Sequence, residues 1–211
     1  MSEILNYFNQ DYQKLGQATR AEIHEKGLWH ETFHCWIYTY VEGELSLYFQ
    51  QRACQKKDFP NQLDISAAGH LLATEGVSDG LREVEEELGL ELTFKTLESL
   101  GVFPMSYDFQ ELKDREFTNI FLYDGSNLSF ADFYLQIEEV QGLYLFPLKT
   151  LMALLTEEIT SCELMGISQE GSQHINEVKT FRKKDICAQS MAYYQFLFEK
   201  LKKKQFNCNS D

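Results

Sequence analysis

The chain has 211 residues, of which 44% are hydrophobic and 25% charged, and this composition excludes disordered and low-complexity proteins. Lys and Arg number 19 against 33 Asp and Glu, which gives a formal net charge of −14. Because nucleic acids and anionic membranes carry negative phosphates, such a chain would be repelled by both. We therefore expect neither nucleic acid nor membrane as a partner.

The cysteines indicate the compartment. Their number is odd, their spacings are wide and no CxxC motif occurs, which is typical of reduced thiols in the cytoplasm. The N-terminus lacks the basic and apolar regions of a signal peptide, and no apolar run approaches the ~20 residues that span a bilayer. We expect a soluble cytoplasmic protein. The five cysteines are Cys35, Cys54, Cys162, Cys187 and Cys208.

Several segments have the pattern of β-strands. Alternating aromatic and β-branched residues predict a strand over 33–40, and Glu42-Gly43 favours a tight turn into a second strand over 45–51. Further short strands are predicted over 63–68, 94–103, 117–123 and 143–146. Residues 160–180 fit neither a strand nor a helix pattern clearly.

Three segments have helical periodicity. The first covers 78–88, with Ser78 or Asp79 as its N-cap and Gly89 as its stop signal. The second covers 148–155 and begins after Pro147. The third covers 183–204 and is amphipathic. Its predicted apolar side consists of Ile186, Met191, Tyr194, Leu197 and Leu201.

The first of these helices is acidic on one side. At about 100° per residue, Glu83, Glu86 and Glu87 share one face, since they stand at i, i+3 and i+4. The opposite side would anchor the helix to a core through Leu81, Val84 and Leu88. Grouped carboxylates repel each other unless a cation is bound, and hard oxygen ligands suit Mg²⁺ or Mn²⁺. A solvated acidic helix with Arg or Lys partners is the alternative interpretation.

The glycines around this helix complete a known pattern. The segment 69–90 resembles the Nudix box, G-x5-E-x7-R-E-U-x-E-E-x-G-U, in which U is a bulky aliphatic residue. The matching residues are Gly69, Glu75 and the run Arg82-Glu-Val-Glu-Glu-Glu-Leu-Gly89-Leu90. The C-terminal half matches fully. Two departures lie in the loop before the helix: six residues instead of seven separate Glu75 from Arg82, and Thr74 replaces a frequent glycine.

This resemblance implies an α/β/α sandwich around a mixed β-sheet. We expect one domain over 1–211, with a core of about 10–155 and an additional C-terminal helical segment over about 156–211. The implied reaction is Mg²⁺-dependent hydrolysis of a diphosphate linkage, with Mn²⁺ as a possible substitute. By carry-over, Glu83, Glu86, Glu87 and the Gly69 carbonyl are candidate metal ligands, and Arg82 would orient Glu83.

Other residues are candidates outside the box. Nudix hydrolases often place a general base in a variable loop, and Glu116, Glu138 and Glu139 are candidates here, with ordinary surface carboxylates as the alternative. The substrate phosphates could be bound by a further set of basic or imidazole side chains, and for the basic ones an ordinary polar loop with exposed lysines is the alternative. The set consists of Arg52, Lys56, Lys57 and His70.

Segments 24–36 and 64–70 look like the Nudix branch that contains type I isopentenyl-diphosphate isomerase. That likeness implies a second metal site. The alternative interpretation is that these histidines have a structural role and are held by hydrogen bonds. The candidate ligands are His24, His30, His70, Asp114 and Glu116. The isomerase needs a cysteine immediately before the Gly-His pair, whereas this chain has Ala68, which cannot transfer a proton.

The sequence therefore favours a diphosphate hydrolase acting on a nucleoside diphosphate derivative or a related organic diphosphate. Isomerisation and noncatalytic nucleotide binding remain the alternatives. The expected partner is a small-molecule diphosphate, and a homodimer is possible. The sequence does not identify the substrate, because no base-reading motif is visible.

Overall fold

The computed structural model describes residues 3–109, 112–171, 173–187 and 189–207, so Cys208 lies outside the described residues. The helices are α1 Arg20–Lys26, α2 Arg82–Leu88, α3 Leu148–Leu155 and α4 Met191–Asn207. The strands are β1 Ile4–Phe8, β2 Lys14–Thr19, β3 Trp29–Val41, β4 Glu44–Arg52, β5 Leu63–Asp64, β6 Ala67–His70, β7 Glu98–Phe109, β8 Leu112–Asp124, β9 Val140–Pro147, β10 Cys162–Glu170 and β11 Gln173–Phe181.

Strand β3 is the centre of one mixed sheet. It pairs in parallel with β8, and antiparallel with β1, β4 and β6. The main strand order is β11-β10-β9-β4-β3-β1-β2, with β5 added to β4 and β7 added to β8. Because side chains alternate across a strand, β3 sends His30, Thr32 and His34 to one face and Phe33 and Cys35 to the other.

Two hydrophobic clusters cover the two faces. One contains Trp36 and Phe49 and is covered by α3 and α4 through Leu151 and Leu197. The other contains Phe33, Cys35, Ile37, Val84 and Leu88, so α2 lies on the opposite face. Helices on both faces of a mixed sheet make the α/β/α sandwich with a C-terminal helix, and the predicted fold class is confirmed. Within the described ranges, no helix is long and apolar enough to cross a membrane.

The hairpin prediction is confirmed, whereas the predicted start of the acidic helix is wrong. Glu42 and Gly43 have positive φ values of 51° and 80°, as the tight β3–β4 turn requires. The predicted helix 78–88 begins only at Arg82, because Val77–Leu81 forms a 3₁₀ helix. Asp79 accepts a hydrogen bond from the Gly76 N–H, at 2.8 Å, and so caps that 3₁₀ turn. Gly89 ends α2 in the left-handed conformation, as expected.

The C-terminal region differs more from the sequence expectation. In the region 160–180, whose pattern is ambiguous in the sequence, β10 and β11 pair antiparallel. The last helix begins at Met191 rather than near residue 183, and Ile186 instead forms a bridge beside Leu63. Met191 is 40% exposed, whereas Tyr194, Leu197 and Leu201 are buried as predicted. The predicted strand 63–68 is interrupted into β5 and β6, and residues 94–96 form a 3₁₀ turn before β7.

Candidate active site

The acidic helix lies against strand β6 at Gly69. A Cβ atom on Gly69 would fall 2.0 Å from Glu83 Oε1, so only glycine leaves room for this carboxylate. Val84 and Leu88 are fully buried and fix the helix, while the Glu86 side chain is 54% exposed. The structure thus brings the three carboxylates of the box together along one side of the helix.

Arg82 connects these carboxylates. Its guanidinium lies 2.7 Å from Glu75 and 2.7 Å from Glu83, and 3.2 Å from Glu86. It also donates to the His70 carbonyl, at 3.1 Å. Glu75 additionally accepts from the Leu72 N–H. The shortened loop therefore keeps Glu75 paired with Arg82, which holds Glu83 in place.

Glu87 is the most buried of the three carboxylates. Gln50 and the Ala68 N–H both donate to its Oε2, at 3.1 and 3.2 Å. Burial, and then the charge of Glu83, raise the pKa of Glu87 to about 8. Burial likewise raises the pKa of Glu83 to about 7, although Arg82 opposes this. The raised pKa values show that the ionised forms of Glu83 and Glu87 are not stabilised by enough positive charge nearby. A divalent cation would supply that charge.

A second cluster lies on the other side of β6. The register of β3 with β8 places His30 beside Glu116 and Thr32 beside Thr118, and the register of β3 with β6 places Thr32 beside His70. The three strands β6, β3 and β8 therefore present these side chains on one face. His24 reaches this face from α1. The three imidazole rings of His24, His30 and His70 have centroids 5.1–5.2 Å apart. Asp114 Oδ1 lies 3.8 Å from His24 Nε2 and 3.6 Å from His30 Nε2.

Several atoms of this histidine cluster are buried without a hydrogen-bond partner among the described residues, namely His30 Nε2, His70 Nε2 and Asp114 Oδ1. The Nδ1 atom of His30 lies 3.1 Å from the Leu28 carbonyl and donates to it, so Nε2 carries a lone pair. Burial lowers the pKa of His30 to about 4 and that of His70 well below its ordinary value, so both are neutral. The atoms therefore fit a metal ion.

Glu116 completes the histidine cluster. Its Oε2 accepts hydrogen bonds from Thr32 and Thr118, at 3.1 and 3.2 Å. Burial, followed by the charge of Asp114, raises the pKa of Glu116 well above its ordinary value. Ligand atoms of His30, Asp114 and Glu116 lie within 4.8 Å of one another. Two buried carboxylates at this distance need a proton or a cation between them.

Both clusters face one cavity of about 340 Å³. Arg52 and Lys56 line it, but Arg52 is paired with Asp64 at 3.0 Å and Lys56 is paired with Glu139. Three sequence candidates are not among the residues that line this cavity: Lys57 and Glu138 are exposed, and His30 is fully buried.

Further lining residues were not among the sequence candidates, and they include Cys187 and Gln189. Cys187 is held beside β5 by its N–H, which donates to the Leu63 carbonyl at 2.8 Å. Burial raises the pKa of its thiol well above the ordinary value, so the group is a neutral thiol. No sequence motif indicated these residues, because a long-range contact brings the C-terminal segment to the cavity.

None of the family models compared with the chain matches it. An uncharacterised Nudix hydrolase of Clostridium acetobutylicum is 32% identical over 201 residues, which cover 94% of this chain and 97% of that protein. Another from a Nostoc species is 28% identical over 169 residues, or 79% of this chain and 94% of that protein. A crystal structure from Deinococcus radiodurans has a TM-score of 0.51 at 20% identity, covers 74% of this chain and 90% of its own, and shows likeness of fold.

The similarity to Nudix hydrolases supports a hydrolase that cleaves diphosphate linkages in general. The near full-length similarity to the Clostridium protein makes the family assignment plain. The chain belongs to the Nudix hydrolase family. Placement in the isopentenyl-diphosphate isomerase branch is not confirmed by these comparisons.

Proposed function

We propose that the protein is a Mg²⁺-dependent hydrolase of a nucleoside diphosphate derivative or a related organic diphosphate. The observation that carries this proposal is a set of three carboxylates, which belong to Glu83, Glu86 and Glu87 and line one polar cavity beside Gly69. Oxygen ligands of this kind suit Mg²⁺, with Mn²⁺ as a substitute. When bound, the ion would neutralise the diphosphate and lower the pKa of a water molecule.

The protein's own residues would hold this site in shape. Arg82 keeps Glu83 and Glu75 in fixed positions through contacts of 2.7 Å. Gln50 and the Ala68 N–H keep Glu87 directed at the same region. Preorganised groups cost no rearrangement when charge develops in the transition state. Arg82 is thus a positioning residue, whereas Glu83, Glu86, Glu87 and the Gly69 carbonyl are the proposed ligands.

Basic side chains of the same cavity would bind the substrate phosphates. Lys56 and Arg52 line the cavity, and each is paired with a carboxylate, Glu139 and Asp64 respectively. A phosphate could take the place of Glu139 beside Lys56 and so leave that carboxylate to accept a proton. Glu139 is therefore our first candidate for the general base. Glu116 is a poorer candidate, since it is held among the histidines.

We propose a second metal site at His24, His30, His70, Asp114 and Glu116. The support is the set of unpartnered buried atoms there, of which two are neutral imidazole nitrogens. A mixed imidazole and carboxylate set suits Mn²⁺, Fe²⁺ or Zn²⁺ better than Mg²⁺. This site would add positive charge to the side of the cavity that faces away from α2.

The test is ³¹P NMR on pooled nucleotide sugars, dinucleotides, thiamine diphosphate and isopentenyl diphosphate with Mg²⁺. We expect one diphosphate to disappear and monophosphates to appear. Glu86→Gln should slow this by at least about 100-fold, as loss of an electrostatic stabiliser does. The matched control is Glu85→Gln, an exposed residue of the same helix, which should hydrolyse at the wild-type rate.

Three outcomes would contradict the proposal. If Glu86→Gln hydrolyses within about tenfold of wild type while folded and saturated with Mg²⁺, the metal-ligand assignment fails, because such a loss is too small for a key stabiliser. If the isopentenyl signal changes with both phosphates retained, the reaction is an isomerisation. If every spectrum is unchanged while a nucleotide raises the melting temperature, the protein is a binding module.

A further inference from the structure

The first turn of α4 reaches the histidine cluster through Tyr193. The Tyr193 side chain is fully buried. The backbone N–H of Tyr193 donates to Ser190 Oγ at 3.1 Å, and this bond anchors the start of the helix. The Tyr193 hydroxyl lies 2.9 Å from Trp36 Nε1 and 2.9 Å from His34 Nδ1. A helix from the C-terminal region thus touches a histidine on the central strand.

The positions of the hydrogens follow from these contacts. An indole N–H can only donate, so the Tyr193 oxygen accepts from Trp36. Among the described residues, His34 Nδ1 is the one acceptor within hydrogen-bond distance of this hydroxyl. If His34 Nδ1 donated instead, the buried phenol hydrogen would have no acceptor, at a cost of about 1–3 kcal/mol. The hydroxyl therefore donates to Nδ1, and His34 carries its hydrogen on Nε2.

The other side of His34 agrees with this assignment. Its Nε2 lies 3.8 Å from Glu116 Oε2. An N–H directed at a carboxylate is attractive, whereas a lone pair at the same place would be repulsive. Glu116 Oε2 already accepts from Thr32 and Thr118. Two threonine hydroxyls and the His34 Nε2–H thus lie around Glu116 Oε2, and a Glu116 oxygen lies within 4.8 Å of the ligand atoms of His30 and Asp114.

We propose that Tyr193 is a positioning residue, whose hydroxyl fixes His34 as the Nε2–H tautomer and thereby orients Glu116 in the histidine cluster. The role in catalysis rests on the proposed function, but the tautomer and the orientation do not. In this arrangement His34 supports the cluster from outside and does not offer Nε2 to a metal. Helix α4 is then part of the working site rather than an appended segment.

The first experiment reads the tautomer in the wild-type chain. Long-range ¹H–¹⁵N correlation spectra of the imidazole rings distinguish a nitrogen with a hydrogen from one without. A His34→Gln variant identifies the His34 signals by their loss. We expect Nε2 protonated and Nδ1 bare, in the metal-free protein at neutral pH. A hydrogen on Nδ1 would overturn the proposal, and this outcome requires no variant of Tyr193 to fold.

The second experiment removes the hydroxyl alone. In Tyr193→Phe, His34 Nδ1 loses its hydrogen-bond donor, so we expect the population of the Nδ1–H tautomer to rise. We also expect the Mn²⁺ affinity of the histidine cluster, measured by calorimetry in a Glu86→Gln background that removes binding at the acidic helix, to fall by about 10-fold or more, as for other supporting residues of metal ligands. The matched control is Tyr194→Phe, the next residue of the same helix, which is also buried. It should leave both readouts unchanged.

The two failures can be told apart. Unchanged tautomer and Mn²⁺ affinity in Tyr193→Phe would overturn the positioning role, whatever the enzyme hydrolyses. If instead both change as expected and no diphosphate is hydrolysed by the wild type, the proposed function fails and the positioning role stands. A fall in affinity that is equally large in Tyr194→Phe would also overturn it, since the effect would then reflect packing of α4.

Discussion

His30 Nε2 and Asp114 Oδ1 lie 3.6 Å apart, and both atoms are buried without a hydrogen-bond partner among the described residues. Because His30 Nδ1 donates to the Leu28 carbonyl, its Nε2 presents a lone pair to the carboxylate. Two electron-rich atoms that face each other in a buried site are unfavourable. A bound cation would reverse the sign of this interaction, which is the physical basis of the second metal site.

Removing His30 should remove one class of bound metal. In His30→Ala, we expect titration of metal-free protein with Co²⁺ to lose the absorption band of imidazole-coordinated cobalt, while binding at the acidic helix persists. His174→Ala is the matched control, since this histidine lies on β11, outside the cavity lining. A Co²⁺ spectrum that is identical in His30→Ala and wild type would contradict the second site.

Glu87 should make the metal-free protein sensitive to pH. The pKa of Glu87 is about 8 in the folded chain, whereas an ordinary Glu, as in the unfolded chain, has a pKa of 4.5. Between these pH values the folded chain therefore binds one proton more than the unfolded chain. Stability therefore falls as pH rises through this range, by at most about 1.4 kcal/mol per pH unit. Glu87→Gln cannot release a proton there, and its stability should fall less.

The measurement is the free energy of unfolding by urea at pH 5, 6.5 and 8, with metal removed. The difference between Glu87→Gln and wild type should grow in favour of the variant as pH rises. Glu85→Gln, which changes an exposed carboxylate, should follow the wild type throughout. Parallel curves for Glu87→Gln and wild type would show that the folded pKa of Glu87 is not raised.

The space at Gly69 should be critical for metal binding. A Cβ there would fall 2.0 Å from Glu83 Oε1 and would displace that carboxylate. We expect Gly69→Ala to weaken Mn²⁺ binding at least about 10-fold and to destabilise the fold by about 1–3 kcal/mol. In Gly76→Ala, the new Cβ would meet only Asp79, at 3.8 Å, so binding should be unchanged. Equal affinity in the two variants would contradict the role assigned to Glu83.

Two neighbouring lysines offer a test of phosphate binding. Lys56 lines the cavity, whereas Lys57 is exposed outside it. Since a charged hydrogen bond contributes about 1.5–3 kcal/mol, Lys56→Ala should raise KM by about 10-fold or more. Lys57→Ala should leave both kcat and KM unchanged. Steady-state kinetics on the hydrolysed diphosphate decide this, and equal KM values for the two variants would exclude Lys56 as a phosphate ligand.

Local chemistry made the acidic helix predictable. A period of 3.6 residues places Glu83, Glu86 and Glu87 on one face, and the left-handed stop at Gly89 follows from the absence of a Cβ. The start of the helix was less predictable. Asp79 is a good capping residue, but it caps a 3₁₀ turn, and the sequence does not distinguish this turn from the first turn of an α-helix.

Long-range contacts limited the rest of the prediction. The pairing of His30 with Glu116 depends on the parallel register of β3 and β8, whose paired residues are 86 positions apart in sequence, so spacing gives no indication of it. The same holds for Tyr193, whose partner His34 is 159 residues away. Alternation along β3 explains why His30, Thr32 and His34 share a face, but the sequence predicted this strand only over 33–40, and it begins at Trp29.

The most direct test of the central claim is hydrolysis of the identified diphosphate in H₂¹⁸O with Mg²⁺, followed by ³¹P NMR. Attack of water at phosphorus would place one ¹⁸O in a phosphate product, seen as a small upfield shift of its signal. The account predicts this label in wild-type product, at a rate that falls at least about 100-fold in Glu86→Gln. Phosphate products that carry no solvent oxygen would contradict hydrolysis at phosphorus.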